Sequence, residues 1–300
     1  MRDKSSLETP ALKPGPTQIP AALDPGLYLV ATPIGNARDI TLRALDILAS
    51  VEVIAAEDTR TAKKLMEIHG IALGKRPLIA YHDHSGDQGR AGILKLIGAG
   101  KSVAYVSEAG TPLVSDPGYA LARDVAAAGG YVTAAPGASA VLAALSLAGL
   151  PSDRFLFAGF APAAQAARIV WLEELAPVPA TLVIYESPRR VGELLTDLVR
   201  VAGADRPAAI ARELTKKFEE VLRGTLGELA EVLATRELKG EVVVLVDRGR
   251  AEVADETMEA ALKRALETMS LKDAAATVAE AYGLKRRKVY QAALELEKDG

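Results

Sequence analysis

The stretch that decides the fold is LYLVATPIGNARDIT, residues 27–41. Its first six residues are mostly apolar and predict a buried strand, and the proline and glycine that follow indicate a turn. The last three residues open a segment in which apolar side chains recur at helical spacing. These side chains are Ile40, Ala44, Ile47 and Leu48. The stretch therefore predicts a strand, turn and helix unit, the building block of an α/β fold.

The same unit recurs along the first half of the chain. VEVIAA (51–56) predicts a strand, and the segment 58–70 predicts a helix that ends at Gly70. Another strand lies within KSVAYVSEAGTP (101–112), followed by a helix over 118–128, and YVTAAPGASA (131–140) carries one more strand. This alternation favours a parallel sheet covered by helices.

The second half has a different pattern, because only some of its strands are separated by helices. A mixed sheet with antiparallel pairs is expected here, with a hairpin-like return before a helix at 225–234. The predicted strands are FLFAGF (155–160), TLVIYES (181–187), AAIARE (208–213), EEVLRG (219–224) and EVVVLVD (241–247).

The two ends of the chain differ from the middle. Residues 1–24 are rich in proline and predict a flexible leader. The last part predicts helices, with Ser270 as an N-cap and Gly283 at a turn. We therefore expect four parts: a leader over 1–24, a first α/β lobe over 25–148, a second over 149–248, and a small helical C-terminal domain over 249–300.

Composition excludes several classes of protein. The chain has no cysteine, which rules out disulfides and thiolate chemistry and suits a reducing cytoplasm. No stretch of about 18 apolar residues is present, so a membrane span is not expected. The net charge is −3, so any affinity for nucleic acid must come from local basic patches.

Three glycine-containing turns follow predicted strands: TPIGN (32–36), SEAGTP (107–112) and APGASA (135–140). Each falls at the carboxyl end of a strand, where open α/β sheets bind ligands, although a lone glycine turn is usually only a turn. Neither the dinucleotide fingerprint nor the Walker P-loop appears. The pattern favours a cleft for a small molecule that is not held by its phosphates.

Polar clusters follow two strands of the first half and offer candidate acid–base groups. Glu57 and Asp58 come directly after VEVIAA, and His82 and His84 follow a short apolar run. Simpler interpretations remain open: Asp58 or the next residue caps a helix, and the histidines lie in a solvated loop. The i, i+2 spacing of the histidines supports no metal site, and no metal is predicted.

Basic side chains at strand ends of the second half are candidates for binding phosphate. Arg189 and Arg190 follow one strand, and Lys216 follows another. Surface charge is the alternative for the two arginines, and an internal salt bridge is the alternative for Arg212 and Glu213.

Taken together and in order, eight segments resemble the ribosomal small-subunit RNA (cytidine-2′-O)-methyltransferases of the tetrapyrrole-methylase superfamily. The resemblance covers about residues 26–248, and the helical tail is also similar to that of the family. Glu108 is a departure, because the family commonly has aspartate there. The segments are LYLVATPIGNARDIT, AEDTR, YHDH, SEAGTPLVSDPG, PGASA, LPSDRF, YESPRR and ARELTK.

The resemblance implies a two-lobed tetrapyrrole-methylase fold, S-adenosylmethionine as the cofactor in the cleft between the lobes, and a homodimer. It places the cofactor against residues of the three glycine turns and of the second lobe. These residues are Pro33, Gly35, Gly110, Thr111, Val114, Ser139, Ala140, Tyr185 and Ala211.

The implied reaction is methylation of a ribose hydroxyl in small-subunit RNA or in the assembled 30S subunit. The candidate bases are Asp58, Glu57, His82 and His84, since a weakly acidic hydroxyl benefits from an acceptor. The candidate RNA-binding residues are Arg60, Arg189, Arg190, Lys216, Lys285, Arg286, Arg287 and Lys288. Two alternatives remain: methylation of a tetrapyrrole carbon, and a non-catalytic ribosome-binding module.

Overall fold

The computed structural model describes residues 22–82, 85–115, 118–249 and 258–298. The expected leader over 1–24 therefore falls almost wholly outside the described residues, as do His84 and part of the connector to the helical tail. Within the described ranges, no helix is long and apolar enough to cross a bilayer.

A five-stranded sheet organises the first half, which we call the first lobe. Its strand order is β3-β2-β4-β1-β5, and each pair of neighbours is parallel. The parallel sheet predicted from the alternating units is confirmed. The strands are β1 (Gly26–Val30), β2 (Val53–Ala56), β3 (Leu78–Ala80), β4 (Ser102–Val106) and β5 (Val132–Ala135).

Helices cover both faces of this sheet and enclose two apolar cores. The first helix starts one residue after the predicted opening, because Thr41 is its N-cap and accepts the Ala44 N–H at 3.2 Å. Ile40 thus lies outside the helix but still packs against the core. The helices are α1 (Leu42–Ser50), α2 (Thr59–Ile68), α3 (Gly86–Gly98), α4 (Tyr119–Ala127) and α5 (Ala140–Ala148).

The second lobe is built on a mixed sheet, as predicted. Its order is β6-β7-β10-β8-β9, with β6 parallel to β7 and the other pairs antiparallel. The hairpin-like return is also present, since β9 pairs back onto β8. The strands are β6 (Phe155–Phe160), β7 (Thr181–Glu186), β8 (Pro207–Arg212), β9 (Glu220–Thr225) and β10 (Val242–Val246).

One face of the second sheet packs against helices of its own lobe, and the other packs against α5 of the first lobe. Apolar side chains from both lobes therefore share a core, which joins the two sheets. The helix α8 begins with a capping box between Thr225 and Glu228. The helices are α6 (Gln165–Leu175), α7 (Val191–Ala202) and α8 (Leu226–Ala234).

A separate apolar cluster holds three helices of the tail together. Ser270 caps the middle helix through the Asp273 N–H at 3.3 Å, as the sequence predicts. Its buried residues are small, which lets the helices approach closely. The helices are α9 (Met258–Leu266), α10 (Leu271–Ala281) and α11 (Arg286–Lys298).

Candidate active site

A cavity of about 510 Å³ lies between the two lobes, at the carboxyl edge of the first sheet. Its size falls in the range of small-molecule sites. From the first lobe it is lined by Ile34, Glu57, Glu108–Thr111, Val114, Ser115, Ser139 and Ala140. From the second lobe it is lined by Phe160, Tyr185–Pro188 and Gly240–Val243.

The wall of the first lobe is built from turns that hydrogen bonds hold together. Gly110 forms an isolated bridge with Thr32, with N–H···O distances of 2.9 and 3.1 Å, and its φ of +89° is one that glycine adopts without strain. Thr111 donates its hydroxyl to Ala138 O at 3.0 Å, which links two of the turns. Six of the nine predicted cofactor residues lie on the cavity wall: Gly110, Thr111, Val114, Ser139, Ala140 and Tyr185.

The other three predicted cofactor residues, Pro33, Gly35 and Ala211, are not among the wall residues. Ala211 is buried in the core shared by the lobes. Gly35 lies against the second lobe, because an added Cβ there would come within 2.5 Å of Lys216 Cγ. The first glycine turn thus serves the contact between lobes, and only Ile34 of that turn lines the cavity.

Two glutamates of the first lobe meet at the cavity wall. The Glu57 carboxylate accepts the backbone N–H of Glu108 at 3.2 Å. Glu57 follows β2 and Glu108 follows β4, and these strands are neighbours in the sheet. Glu57 is the only predicted base that lies on the wall among the described residues.

Asp58 has a structural role that accounts for both of its oxygens. It is the N-cap of α2, as the simpler interpretation predicts, and it accepts the Arg60 N–H at 2.7 Å. The Arg60 guanidinium also contacts it at 2.6 Å. Hydrogen bonds from the Arg60 side chain and backbone hold the pKa of Asp58 far below its usual range. A carboxylate with such a low pKa is a weak proton acceptor, so this geometry does not favour Asp58 as a base.

Of the predicted histidine pair, His84 lies outside the described residues, and His82 is not at the cavity. His82 is exposed, and its backbone N–H donates to Ser85 Oγ at 2.9 Å. It is not a wall residue. Among the described side chains, no group of three or more histidine and carboxylate residues could hold a metal ion.

Several of the predicted RNA-binding cations are paired with carboxylates. Arg60 contacts Asp58, and Arg190 contacts Glu186 at 2.6 Å. Lys216 lies 3.0 Å from Glu213 and 3.1 Å from Glu241. Burial alone would lower the pKa of Lys216, but hydrogen bonds to these two glutamates outweigh it and raise the pKa.

Five predicted cations are exposed and make no ion pair with any described residue. Four of them form the basic run at the start of α11. The fifth directly follows the cavity-lining Pro188. They are Arg189, Lys285, Arg286, Arg287 and Lys288.

Glu186 and Phe160 are among the wall residues that the sequence reasoning missed. Glu186 ends β7 with a fully buried carboxylate, which accepts the Ser187 N–H at 2.6 Å as well as the Arg190 contact. Phe160 ends β6 and is 59% exposed. Gly159 was the available signal for Phe160, because a glycine inside a strand often marks a bulge that redirects its neighbours.

The charge of the wall indicates what it can hold. Four glutamates (Glu57, Glu108, Glu186 and Glu241) line the cavity, and the described wall residues include no lysine or arginine. Glu186 and Glu241 are paired with Arg190 and Lys216, so the negative charge of the wall is concentrated at Glu57 and Glu108 in the first lobe, and that side of the cavity suits a cationic ligand. S-adenosylmethionine carries a sulfonium and an ammonium group and no phosphate, so the residues present fit it.

Two family models match this chain. Residues 26–230 match the family model described as Tetrapyrrole (Corrin/Porphyrin) Methylases, and residues 252–297 match the model described as RsmI C-terminal HTH domain. The chain is 47% identical to a Mesorhizobium japonicum protein over 94% of its own length and 96% of that protein. It is 45% identical to a Vibrio cholerae protein, over 90% and 95% respectively. Both relatives are named Ribosomal RNA small subunit methyltransferase I.

Solved structures share the fold at lower identity. A Thermus thermophilus uroporphyrin-III C-methyl transferase complexed with S-adenyl homocysteine is 20% identical, with a TM-score of 0.52 over 74% of this chain and 97% of that one. A diphthine synthase is 16% identical, with a TM-score of 0.55 over 74% and 89%. These likenesses bear on the fold alone.

Proposed function

The chain belongs to the tetrapyrrole methylase family, and from this premise we propose that it methylates a cytidine ribose 2′-hydroxyl of small-subunit ribosomal RNA. As a member of that family it is a methyltransferase, and S-adenosylmethionine is its methyl donor. The observation that carries the proposal is the cavity wall: glycine turns and glutamates fit a cationic, phosphate-free cofactor. The expected division into leader, two lobes and helical domain is kept as part of the proposal.

The residues of the first lobe hold the cofactor and receive the proton. When bound, S-adenosylmethionine supplies a methyl group on a positively charged sulfur. Gly110, Thr111 and Ser139 present backbone and small polar groups toward it. Glu57 accepts the proton that the ribose hydroxyl loses as its oxygen gains the methyl group, which leaves S-adenosylhomocysteine. Such assistance contributes about 10²–10⁴ in rate.

RNA affinity is assigned to the cations that the protein leaves unpaired in its described part. Lys285 to Lys288 lie at the N-terminal end of α11, where the helix dipole disfavours positive charge and attracts anions. Both effects favour the binding of phosphate there. Arg189 adds an exposed cation directly after the cavity-lining Pro188. The paired Arg60, Arg190 and Lys216 are assigned to the architecture of the site.

The comparisons favour ribosomal RNA over a tetrapyrrole as the substrate. The structural likenesses to porphyrin enzymes are below 25% identity, whereas the relatives at 41–47% identity are named for ribosomal RNA. A homodimer in the cytoplasm that acts on the RNA or on the 30S subunit completes the proposal. Large exposed apolar side chains, such as Leu42 at 79% and Tyr119 at 67%, are consistent with a subunit interface.

The experiment that tests this function is a map of 2′-O-methyl positions in small-subunit RNA from cells that lack the chain. We expect the loss of methylation at one cytidine, restored by the wild-type gene and not by a Glu57→Gln variant. An unchanged map would overturn the assignment to RNA. Restoration by a variant that does not bind S-adenosylmethionine would favour the non-catalytic ribosome-binding module.

A further inference from the structure

Phe160 is a large apolar side chain that the fold places in the cavity wall and leaves 59% exposed. Burying an aromatic ring is a main source of stability, so a ring left this exposed at the wall of a cavity is unusual. Its neighbours do not cover it in the described structure. The ring is therefore available to a ligand.

A β-bulge produces this placement. Phe157 pairs with Val183 and Gly159 pairs with Ile184, so strand β6 carries one extra residue at this point. Gly159 has a φ of +74°, which an L side chain adopts only with strain. In a regular strand, residues three apart point to opposite faces. The bulge instead brings Phe157 and Phe160 to the same ring, that of Tyr185, with centroids 4.8 and 5.5 Å away.

The contacts of Phe160 leave a flat surface for stacking. Its ring meets Tyr185 at an interplanar angle of 67°, an edge contact rather than a stacked one. Tyr185 is in turn packed against Phe157 and the core shared by the lobes. The Phe160 ring thus has an edge contact with Tyr185, while the residue as a whole is 59% exposed.

The chemistry beside Phe160 points to single-stranded nucleic acid. Residues 185–188 line the same cavity, and Arg189 follows them as an exposed cation with no ion pair to any described residue. An open aromatic ring with a nearby cation is the combination that binds unstacked bases and their phosphates. The glycine turns that suit the cofactor lie on the opposite wall, in the first lobe.

We propose that Phe160 stacks on the base of the nucleotide whose ribose is methylated, after that base has left its RNA stack. This inference rests on the proposed function, since it requires an RNA substrate. The ring would fix the orientation of the nucleotide, and so would set the position of the ribose hydroxyl relative to the cofactor. Phe160 is in this sense a substrate-binding residue supplied by the second lobe.

The test compares Phe160→Leu and Phe160→Tyr with Phe155→Leu. Phe155 is the matched control, because it lies on the same strand, is 41% exposed and does not line the cavity. Purified 30S subunits from cells that lack the chain serve as the substrate. We expect Phe160→Leu to raise KM for the subunits about tenfold, since stacking on an aromatic ring contributes roughly that factor or more. Phe160→Tyr keeps an aromatic ring, so its KM for the subunits should stay close to that of the wild type.

A base that stacks on Phe160 could come from the RNA or from the adenine of the cofactor. The affinity of each variant for S-adenosylhomocysteine, measured by calorimetry, distinguishes the two. An unchanged dissociation constant together with the raised KM supports the proposal. A dissociation constant that rises by the same factor would overturn it, because Phe160 would then contact the cofactor's adenine. If KM for the subunits and the dissociation constant for S-adenosylhomocysteine are both unchanged, the proposal is also overturned. A change of molecular mass in solution with Phe160→Leu would overturn it too, because the ring would then lie in a subunit interface. Failure of the wild-type protein to methylate the subunits would instead contradict the proposed function itself.

Discussion

The two lobes are built on different kinds of sheet, and this difference explains which parts of each lobe line the cavity. In the first lobe all paired strands are parallel, so the turns after β1, β2, β4 and β5 come to one edge. In the second lobe three of the four pairings are antiparallel. The strands β6, β7 and β8 therefore end at one edge and β9 and β10 at the other, and the cavity takes the ends of β6 and β7 and the start of β10. A parallel sheet concentrates backbone-rich turns, whereas a mixed sheet contributes individual side chains.

This contrast matches the chemistry of each wall. The first lobe supplies glycine turns and the Glu57–Glu108 pair, which suit a small cationic cofactor and a proton transfer. The second lobe supplies the Phe160 ring and Arg189, together with Tyr185, which the family resemblance places against the cofactor. If the division is correct, variants in the first lobe should change cofactor binding or the chemical step. Variants of Phe160 and Arg189 in the second lobe should change substrate binding.

The largest effect is expected for Glu57→Gln in the first lobe. Loss of a general base should lower kcat by about 10²–10⁴. The amide keeps the size of the side chain and can still accept the Glu108 N–H, so affinity for S-adenosylhomocysteine should stay within about twofold. Glu67→Gln, on the exposed surface of α2, is the control. If Glu57→Gln turned over at the wild-type rate, Glu57 would not be the general base.

A large decrease in cofactor binding is expected for Gly110→Val. Its φ of +89° strains a β-branched side chain, and an added Cβ would lie 3.3 Å from Ile34 Cγ2 on the cavity wall. We expect affinity for S-adenosylhomocysteine to fall on the order of a hundredfold, because small displacements of a positioning turn have effects of that size. Gly100→Val has a similar φ of +82° with no neighbour within 4 Å. If both variants bind equally well, Gly110 does not position the cofactor.

The third prediction concerns the basic run of the helical tail, which belongs to neither lobe. Replacing Lys285, Arg286, Arg287 and Lys288 by glutamine should weaken binding of 30S subunits by about tenfold at physiological salt. The plot of log affinity against log salt should become shallower, by roughly 0.7–0.9 for each phosphate that the variant no longer neutralises. Turnover at saturating substrate should be unchanged. An unaltered slope would show that the run is only a solvated helix start.

The first lobe could be predicted from sequence in some detail because its signals are local. Each βα unit carries its own apolar run and closing turn, and residue type narrowed the cap of α2 to Asp58 or Thr59, of which Asp58 is the one that caps it. The partners of the second lobe are set by long-range contacts. Nothing in the segment around Gly35 indicates that its neighbour is Lys216, 181 residues later in the sequence. The pairing of Arg190 with Glu186 is close in sequence, but it depends on the conformation of the turn between β7 and α7.

A smaller effect on stability and cofactor binding is expected for Gly35→Ala, which changes the contact between the lobes. The added Cβ would lie 2.9 Å from the carbonyl oxygen of Leu214 and 2.7 Å from Thr215 Oγ1, so backbone must move. Overpacking of this kind costs about 1–3 kcal/mol, and a thermal midpoint lowered by a few degrees should accompany severalfold weaker cofactor binding. Gly92→Ala, with no neighbour within 4 Å, is the control and should be neutral or slightly stabilising. Unchanged stability and binding would show that the lobes tolerate displacement here.

The smallest effect is expected for Asp58→Asn, which separates capping from catalysis in adjacent residues. Asparagine still caps a helix, so the variant loses only the charge that Arg60 contacts. Because Arg60 holds the pKa of Asp58 below the unfolded value of about 3.9, the charge stabilises the native state above that pH. This contribution is lost as the pH falls through the lower native pKa.

The thermal midpoint of wild type should therefore exceed that of Asp58→Asn slightly at pH 7, and the difference should close below about pH 4. Methyl transfer at pH 7 should be nearly unchanged, in contrast to Glu57→Gln. The opposite pattern, a folded Asp58→Asn variant with no turnover, would move the base from Glu57 to the capping residue. It would also mean that the Arg60 contact is released when substrate binds, since a carboxylate held at so low a pKa accepts protons poorly.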